Sequence, residues 1–146
     1  MFDYKKVGET LIDVHPGLPE TDNFQHWPPW RPLVVETARH ILDYTGGTLI
    51  MPMTVLIEAY WREISDGFTA YDIPVRHFLL HTDTETLHEP IMGNTVTGPS
   101  GFRLAYLVPS DKAFRGWLGV EADVIDTTAL TPSEVGTLIA DAIGVP

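Results

Sequence analysis

The stretch Asp22-Asn23-Phe24-Gln25-His26-Trp27-Pro28-Pro29-Trp30-Arg31-Pro32, followed by a helical pattern and then Thr48-Leu49-Ile50-Met51-Pro52-Met53-Thr54, organises the reading of the chain. Leu18 to Pro29 is a polar, proline-rich loop with Phe24, Trp27 and Trp30 set in and just beyond it. Tryptophans are poorly accommodated in solvent, so this loop is expected to fold onto the body or to line a cleft. Pro32 suits the first turn of a helix, because the N–H it lacks would have no partner there. Val34, Ala38, Ile41 and Leu42 then recur at helical spacing, and Gly46-Gly47 stops the run. Thr48 to Val55 is apolar, β-prone and short, which predicts a strand buried on both faces.

Working outward, Tyr4 to Val14 reads as a short helix broken by His15-Pro16-Gly17. Leu56 to Gly67 carries Ile57, Tyr60, Trp61 and Ile64 on one side of a second helix. Val75 to His81 predicts another strand, and Asp83 a short helix that Pro90 ends. Gly93 to Gly101 is a loop rich in Gly, Thr and Ser. Phe102–Val108 and Asp111–Leu118 read as two short helices, and Ala122–Thr127 as a third strand. Thr131-Pro132-Ser133-Glu134 is a capping box before an amphipathic final helix with Val135, Leu138, Ile139 and Ala142 on its apolar face. Strands separated by helices predict an α/β fold, a parallel sheet flanked by helices on both faces, as a single domain over residues 1–146.

The chain has 146 residues, 44% hydrophobic and 20% charged, enough for one domain with a real core. A formal net charge of −11 repels a phosphate backbone, so no nucleic-acid partner is expected. A nucleotide remains compatible with that charge, because local backbone N–H groups outweigh a distant field. The absence of cysteine excludes disulfides, thiol nucleophiles and thiolate metal sites. No apolar stretch follows Lys5-Lys6, and the run from Thr48 to Ile57 is half the roughly 20 residues a bilayer span needs. The expectation is a cytoplasmic protein with no membrane partner.

The Asp22–Thr54 run resembles the tunicamycin-resistance-type ATP-binding proteins, a branch of the P-loop kinase superfamily. In that family a strand, a Gly-x-x-x-x-Gly-Lys-Ser/Thr loop and a helix precede this region, and here Met1 starts beyond them. The lysines are Lys5, Lys6 and Lys112, none of which follows a glycine, so the sequence holds no Walker A loop. The resemblance implies a P-loop kinase-like fold lacking its usual first strand. It implies ATP and Mg²⁺ as cofactors, with neither held by the chain as it stands. It places Asp3, with Val7-Gly8, where an acidic residue faces the acceptor, and Trp30-Arg31 at the start of the substrate-side helix. Gly98-Pro99-Ser100 with Phe102-Arg103 resembles the lid, with Arg103 toward the phosphates. Asp126-Thr127-Thr128 falls near the adenine pocket. Thr54 stands where other P-loop proteins have the Walker B acid, which weakens any metal-water contact there.

The candidate catalytic residues are therefore Asp3, Arg31 and Arg103, and the candidate substrate contacts Phe24, Gln25, Trp27, Trp30 and Thr54. Arg31 suits an anion, its planar fork matching phosphate or carboxylate; equally, it reads as a surface arginine stacked on Trp30 or paired to Glu36. Asp3 reads as a base or metal-water contact, or as a solvated side chain near the chain start. His77 and His81, with Asp83 beyond, offer two or three zinc ligands or else hydrogen-bonded strand histidines. No metal site is assigned. Two functions follow: a nucleotide-dependent small-molecule kinase or antibiotic-resistance protein, inactive without the phosphate loop, or a non-catalytic protein binding a small-molecule ligand at the aromatic loop. Losing a central strand would leave unpaired backbone groups, each costing about 1–3 kcal/mol when buried. The strands at Thr48–Val55 and Val75–His81 are thus expected to pair directly, or another segment or a second copy in a homodimer to fill the gap.

Overall fold

The computed structural model describes residues 1–82 and 101–144, with side chains from residue 104 onward in the second stretch. Contacts group the chain into two compact units, Met1–Val75 and Arg76–Pro146.

The first unit is built from three helices, α1 (Lys5–Val14), α2 (Trp30–Thr45) and α3 (Glu58–Thr69). Phe2, Trp27, Trp30, Val34, Val35, Ala38, Ile64 and Phe68 form its core. On α2 the buried Val34 and Ala38 lie one turn apart, and on α3 Trp61, Ile64 and Phe68 follow the same spacing. The two faces meet closely where Gly67 lies opposite Val35: an added Cβ would stand 3.0 Å from a valine methyl. α2 stops as expected at Gly46, whose N–H donates to the Leu42 carbonyl at 2.8 Å with φ at 66°. Gly8 of α1 faces the Phe24 ring so tightly that a Cβ would fall 2.1 Å from it. A helix-weakening glycine is therefore required there by packing rather than by backbone conformation.

Thr48–Val55 departs from its expected strand. The described sheet holds two strands, and this segment is neither of them. Its burial alternates: Leu49, Met51 and Met53 pack partly against the helical core and Val55 is buried, while Thr48, Ile50, Pro52 and Thr54 are exposed. That period of two is what an extended chain with one covered face produces. Phe2 ties it down by donating its N–H to the Ile50 carbonyl at 2.8 Å. Continuous apolarity signalled burial on both faces, but helices cover one side and no ladder forms.

In the second unit β1 (Phe78–His81) pairs in parallel with β2 (Asp123–Asp126), in register Phe78 to Asp123 and His81 to Asp126. Asp123 N–H to the His77 carbonyl at 2.8 Å and Thr127 N–H to the His81 carbonyl at 2.7 Å extend the ladder at both ends. A parallel pair needs a long crossover; it includes α4 (Gly101–Ala113), which runs on through a π-helical stretch, Phe114–Leu118, and a last turn, Gly119–Glu121. The two short helices expected here are thus one continuous run. Pro109 does not break it. The final helix α5 (Pro132–Ile143) starts at the expected capping box, with Glu134 N–H donating to Thr131 Oγ1 at 3.3 Å and Thr131 N–H to Glu134 Oε2 at 2.7 Å. These two strands make the fold α/β with a parallel sheet.

His77 carries a pH dependence. Burial holds its imidazole below the ordinary value of 6.5, against the opposite pull of Glu121 and Asp123. The folded state therefore takes up the proton less readily than the unfolded chain. Stability from this group is complete above the unfolded value and is lost as pH falls through it toward the folded value. Melting temperature should fall between about pH 7.5 and about pH 5.5, and a His77→Gln variant should show a smaller fall over the same interval. An equal fall in both proteins would remove His77 as the source.

Candidate functional site

Within the first unit the candidate site centres on Arg31, in the first turn of α2, and on the loop that precedes it. Asn23 begins a 3₁₀ turn, Phe24–His26, by accepting the Gln25 N–H on Oδ1 at 3.0 Å. This turn sends the Gln25 side chain inward, where it is buried and its Nε2 donates to the Thr54 carbonyl at 2.8 Å. Trp27 is fixed by its Nε1–H to the Pro19 carbonyl at 2.9 Å and by a stacked Phe24 ring at 5.4 Å. Trp30 is fully buried, edge-on to Tyr4 at 5.7 Å, and its Nε1 has no hydrogen-bond partner among the described residues. Both tryptophans are core residues, so the loop folds onto the body, one of the two arrangements expected of it.

Arg31 is largely, though not wholly, withdrawn from solvent. It is 7% exposed, donates Nε–H to Glu63 Oε2 at 2.6 Å and Nη1–H to the Gln25 carbonyl, and lies over the Tyr60 ring at 4.3 Å. Neither sequence-level pairing holds. The stacking partner is Tyr60 instead of Trp30, and the counter-ion is Glu63 instead of Glu36. Glu36 belongs to a separate cluster, where the Tyr71 hydroxyl and Arg39 hold its carboxyl below the usual range. Burying a guanidinium requires a counter-charge and acceptors for its donors, and the Glu63 carboxylate with the Gln25 carbonyl supplies both. Among the described residues Arg31 Nη2 and Glu63 Oε1 make no hydrogen bond, and Glu63 is half exposed. His26 also packs edge-on to Tyr60, its ring 6.2 Å away. The arrangement presents a fixed donor and a free acceptor side by side, next to aromatic rings.

Of the other residues, Asp3 is exposed and accepts the Lys5 N–H at 3.1 Å, at the start of α1. Thr54 is exposed, and its contribution to this site is the backbone carbonyl that holds Gln25. The Arg103 side chain, Asp83 and the Gly93–Ser100 segment lie outside the described residues. The structure thus brings Phe24, Gln25, Trp27, Trp30, Arg31 and the Thr54 backbone together. Sequence reasoning missed Glu63 as a site residue and read Tyr60 only as part of the α3 packing face. The usable signal was chemical: an arginine inside an aromatic loop needs an acid, and Glu63 stands beside the buried Ile64 on α3.

The second unit has its own features. At the carboxyl ends of the strands His81 stacks on Phe114 at 3.9 Å, and the Thr82 and Thr128 hydroxyls meet at 2.9 Å. A groove of about 510 Å³ runs past Arg76, Phe78, Ile125, Leu130 and Leu138, with Arg76 tied to Asp123 at 2.8 Å. Among the described residues no three His, Asp or Glu side chains gather as metal ligands, and no helix is long and apolar enough to cross a membrane.

Set against known proteins, this parallel α/β architecture has a counterpart among solved structures. A tunicamycin resistance protein of Deinococcus radiodurans matches 99% of this chain and 82% of its own, with a TM-score of 0.78 and 22% sequence identity. At that identity the likeness establishes the fold. No protein-family model matches the chain, and no curated protein does.

Proposed function

We propose that the chain is an antibiotic-resistance protein of the nucleotide-dependent small-molecule kinase type, acting in the cytoplasm. Its 146 residues bind an amphipathic antibiotic of the tunicamycin class at the Arg31 site, without transferring phosphate themselves. The observation that carries the reading is Arg31, buried to 7% exposure yet keeping Nη2 uncommitted beside the half-exposed Glu63. The likeness to a tunicamycin resistance protein supports the choice of ligand class.

ATP with Mg²⁺ does not fit the residues present. Cradling β- and γ-phosphates takes a run of backbone N–H groups and a lysine, and Lys5, Lys6 and Lys112 all lack a preceding glycine. At the Pro52-Met53-Thr54 position no acid is available for a metal-bound water. Without positioning and charge neutralisation, most of the barrier reduction is lost. Binding without turnover is therefore the reading for these residues. An in-frame Gly-x-x-x-x-Gly-Lys-Ser/Thr segment ahead of Met1 would make the full polypeptide a kinase, and the intact mass of the native protein decides between the two.

Calorimetry with ATP and Mg²⁺ should show no dissociation constant below about 1 mM, equivalent to about −4 kcal/mol. Expression of the chain in a tunicamycin-sensitive bacterium should raise the inhibitory concentration severalfold. Unchanged sensitivity, with the protein present and folded, contradicts the resistance reading; a low-micromolar ATP constant contradicts the absence of a phosphate site.

A further inference from the structure

Arg31 was expected to clamp an anion, but its surroundings favour a different ligand group. Glu63 Oε2 sits 2.6 Å from Arg31 Nε, so the cationic charge is already compensated where a ligand would approach. The Gln25 carbonyl takes a second donor. What remains is Nη2 as a donor and Glu63 Oε1 as an acceptor, on a pair whose sum is neutral. A phosphate or carboxylate approaching Nη2 also meets the Glu63 carboxylate, and in a partly desolvated setting that like-charge approach is unfavourable. A hydroxyl both donates and accepts, so one hydroxyl or a vicinal pair satisfies both atoms at once. Tyr60, held under Arg31 at 4.3 Å, and His26, edge-on to Tyr60 at 6.2 Å, add ring faces and edges against which C–H groups of a sugar can pack.

We propose that the Arg31–Glu63 pair recognises a neutral, hydroxyl-bearing group, a sugar ring being the fitting class, and that Glu63 determines this by excluding anions. The inference deepens the small-molecule reading above and rests on the same site. Glu63 both orients the guanidinium and supplies the acceptor. Removing its charge while keeping its shape should invert the preference: the freed guanidinium gains an anion and the hydroxyl loses its acceptor.

The test uses two probes, inorganic phosphate and a neutral methyl hexoside, on the full chain and on Glu63→Gln. Phosphate at about 10 mM should leave the Arg31 side-chain NMR signals of the wild type unmoved and shift those of Glu63→Gln, a weak millimolar affinity. Saturation transfer to the hexoside should be seen with the wild type and fall roughly tenfold in Glu63→Gln, as expected for loss of a charged hydrogen-bond acceptor. Glu63→Asp keeps the charge but retracts it, so phosphate should still be excluded while hexoside transfer weakens; this variant also decides the matter should Glu63→Gln not fold. Equal phosphate shifts in wild type and Glu63→Gln overturn the proposal. So does an absence of hexoside transfer to the wild type, or phosphate binding by Glu63→Asp. If the hexoside pattern holds while tunicamycin itself fails to bind, the sugar preference stands and only the antibiotic assignment falls.

Discussion

Replacing Trp30 by alanine should destabilise the protein by about 3–5 kcal/mol, the range for emptying a fully buried tryptophan site. A domain's whole stability is about 5–15 kcal/mol, so the variant should melt far below the wild type or express poorly. Trp30 has no exposed surface and belongs with Val34, Ile64 and Phe2 to the first unit's core. Trp27, also buried, should behave alike toward alanine. Phenylalanine separates them. Trp27→Phe gives up the indole hydrogen bond to the Pro19 carbonyl, worth about 1 kcal/mol, whereas Trp30→Phe gives up none, since its Nε1 is unpartnered among the described residues. Denaturant titration of the four variants reads this directly. A Trp30→Ala protein as stable as the wild type would contradict the packing described for the loop.

How much of this was legible in the sequence depended on the range of the interaction. α2 could be read because its signals are local: Val34 and Ala38 at helical spacing, then Gly46 with a positive φ of 66°. The capping box that opens α5 is equally local, four residues from Thr131 to Glu134. Thr48–Val55 could not be read correctly, because whether an apolar run becomes a strand depends on a neighbouring strand elsewhere in the chain. Its alternating burial is set by the helices it covers. At the site, the loop aromatics, Gln25 and Arg31 stood out by composition. The counter-ion did not, since Glu63 lies 32 positions away and only tertiary structure brings it to Arg31. The tryptophans, read as ligand-facing or core-packing, are core residues.

Arg31→Met should cost about 2–3 kcal/mol, somewhat below the 3–5 kcal/mol typical of breaking a fully buried pair. Methionine retains much of the apolar stem over Tyr60, so the loss is chiefly polar. The Gln25 carbonyl loses its donor from Arg31, and Glu63 loses its counter-ion. Glu63 is 49% exposed and regains water, which is why the cost is reduced. Chemical denaturation measures it. A cost under about 0.5 kcal/mol would mean that the pair is no more than a surface ion pair.

The central claim, that this chain holds a small-molecule antibiotic at Arg31 without a nucleotide, is tested most directly by titrating tunicamycin into the nucleotide-free protein in a calorimeter. The account predicts a micromolar dissociation constant, about −8 kcal/mol, and binding at least roughly tenfold weaker for Arg31→Lys, which keeps the charge and loses the planar fork. No heat of binding with the wild type, or the same constant in both proteins, would contradict it.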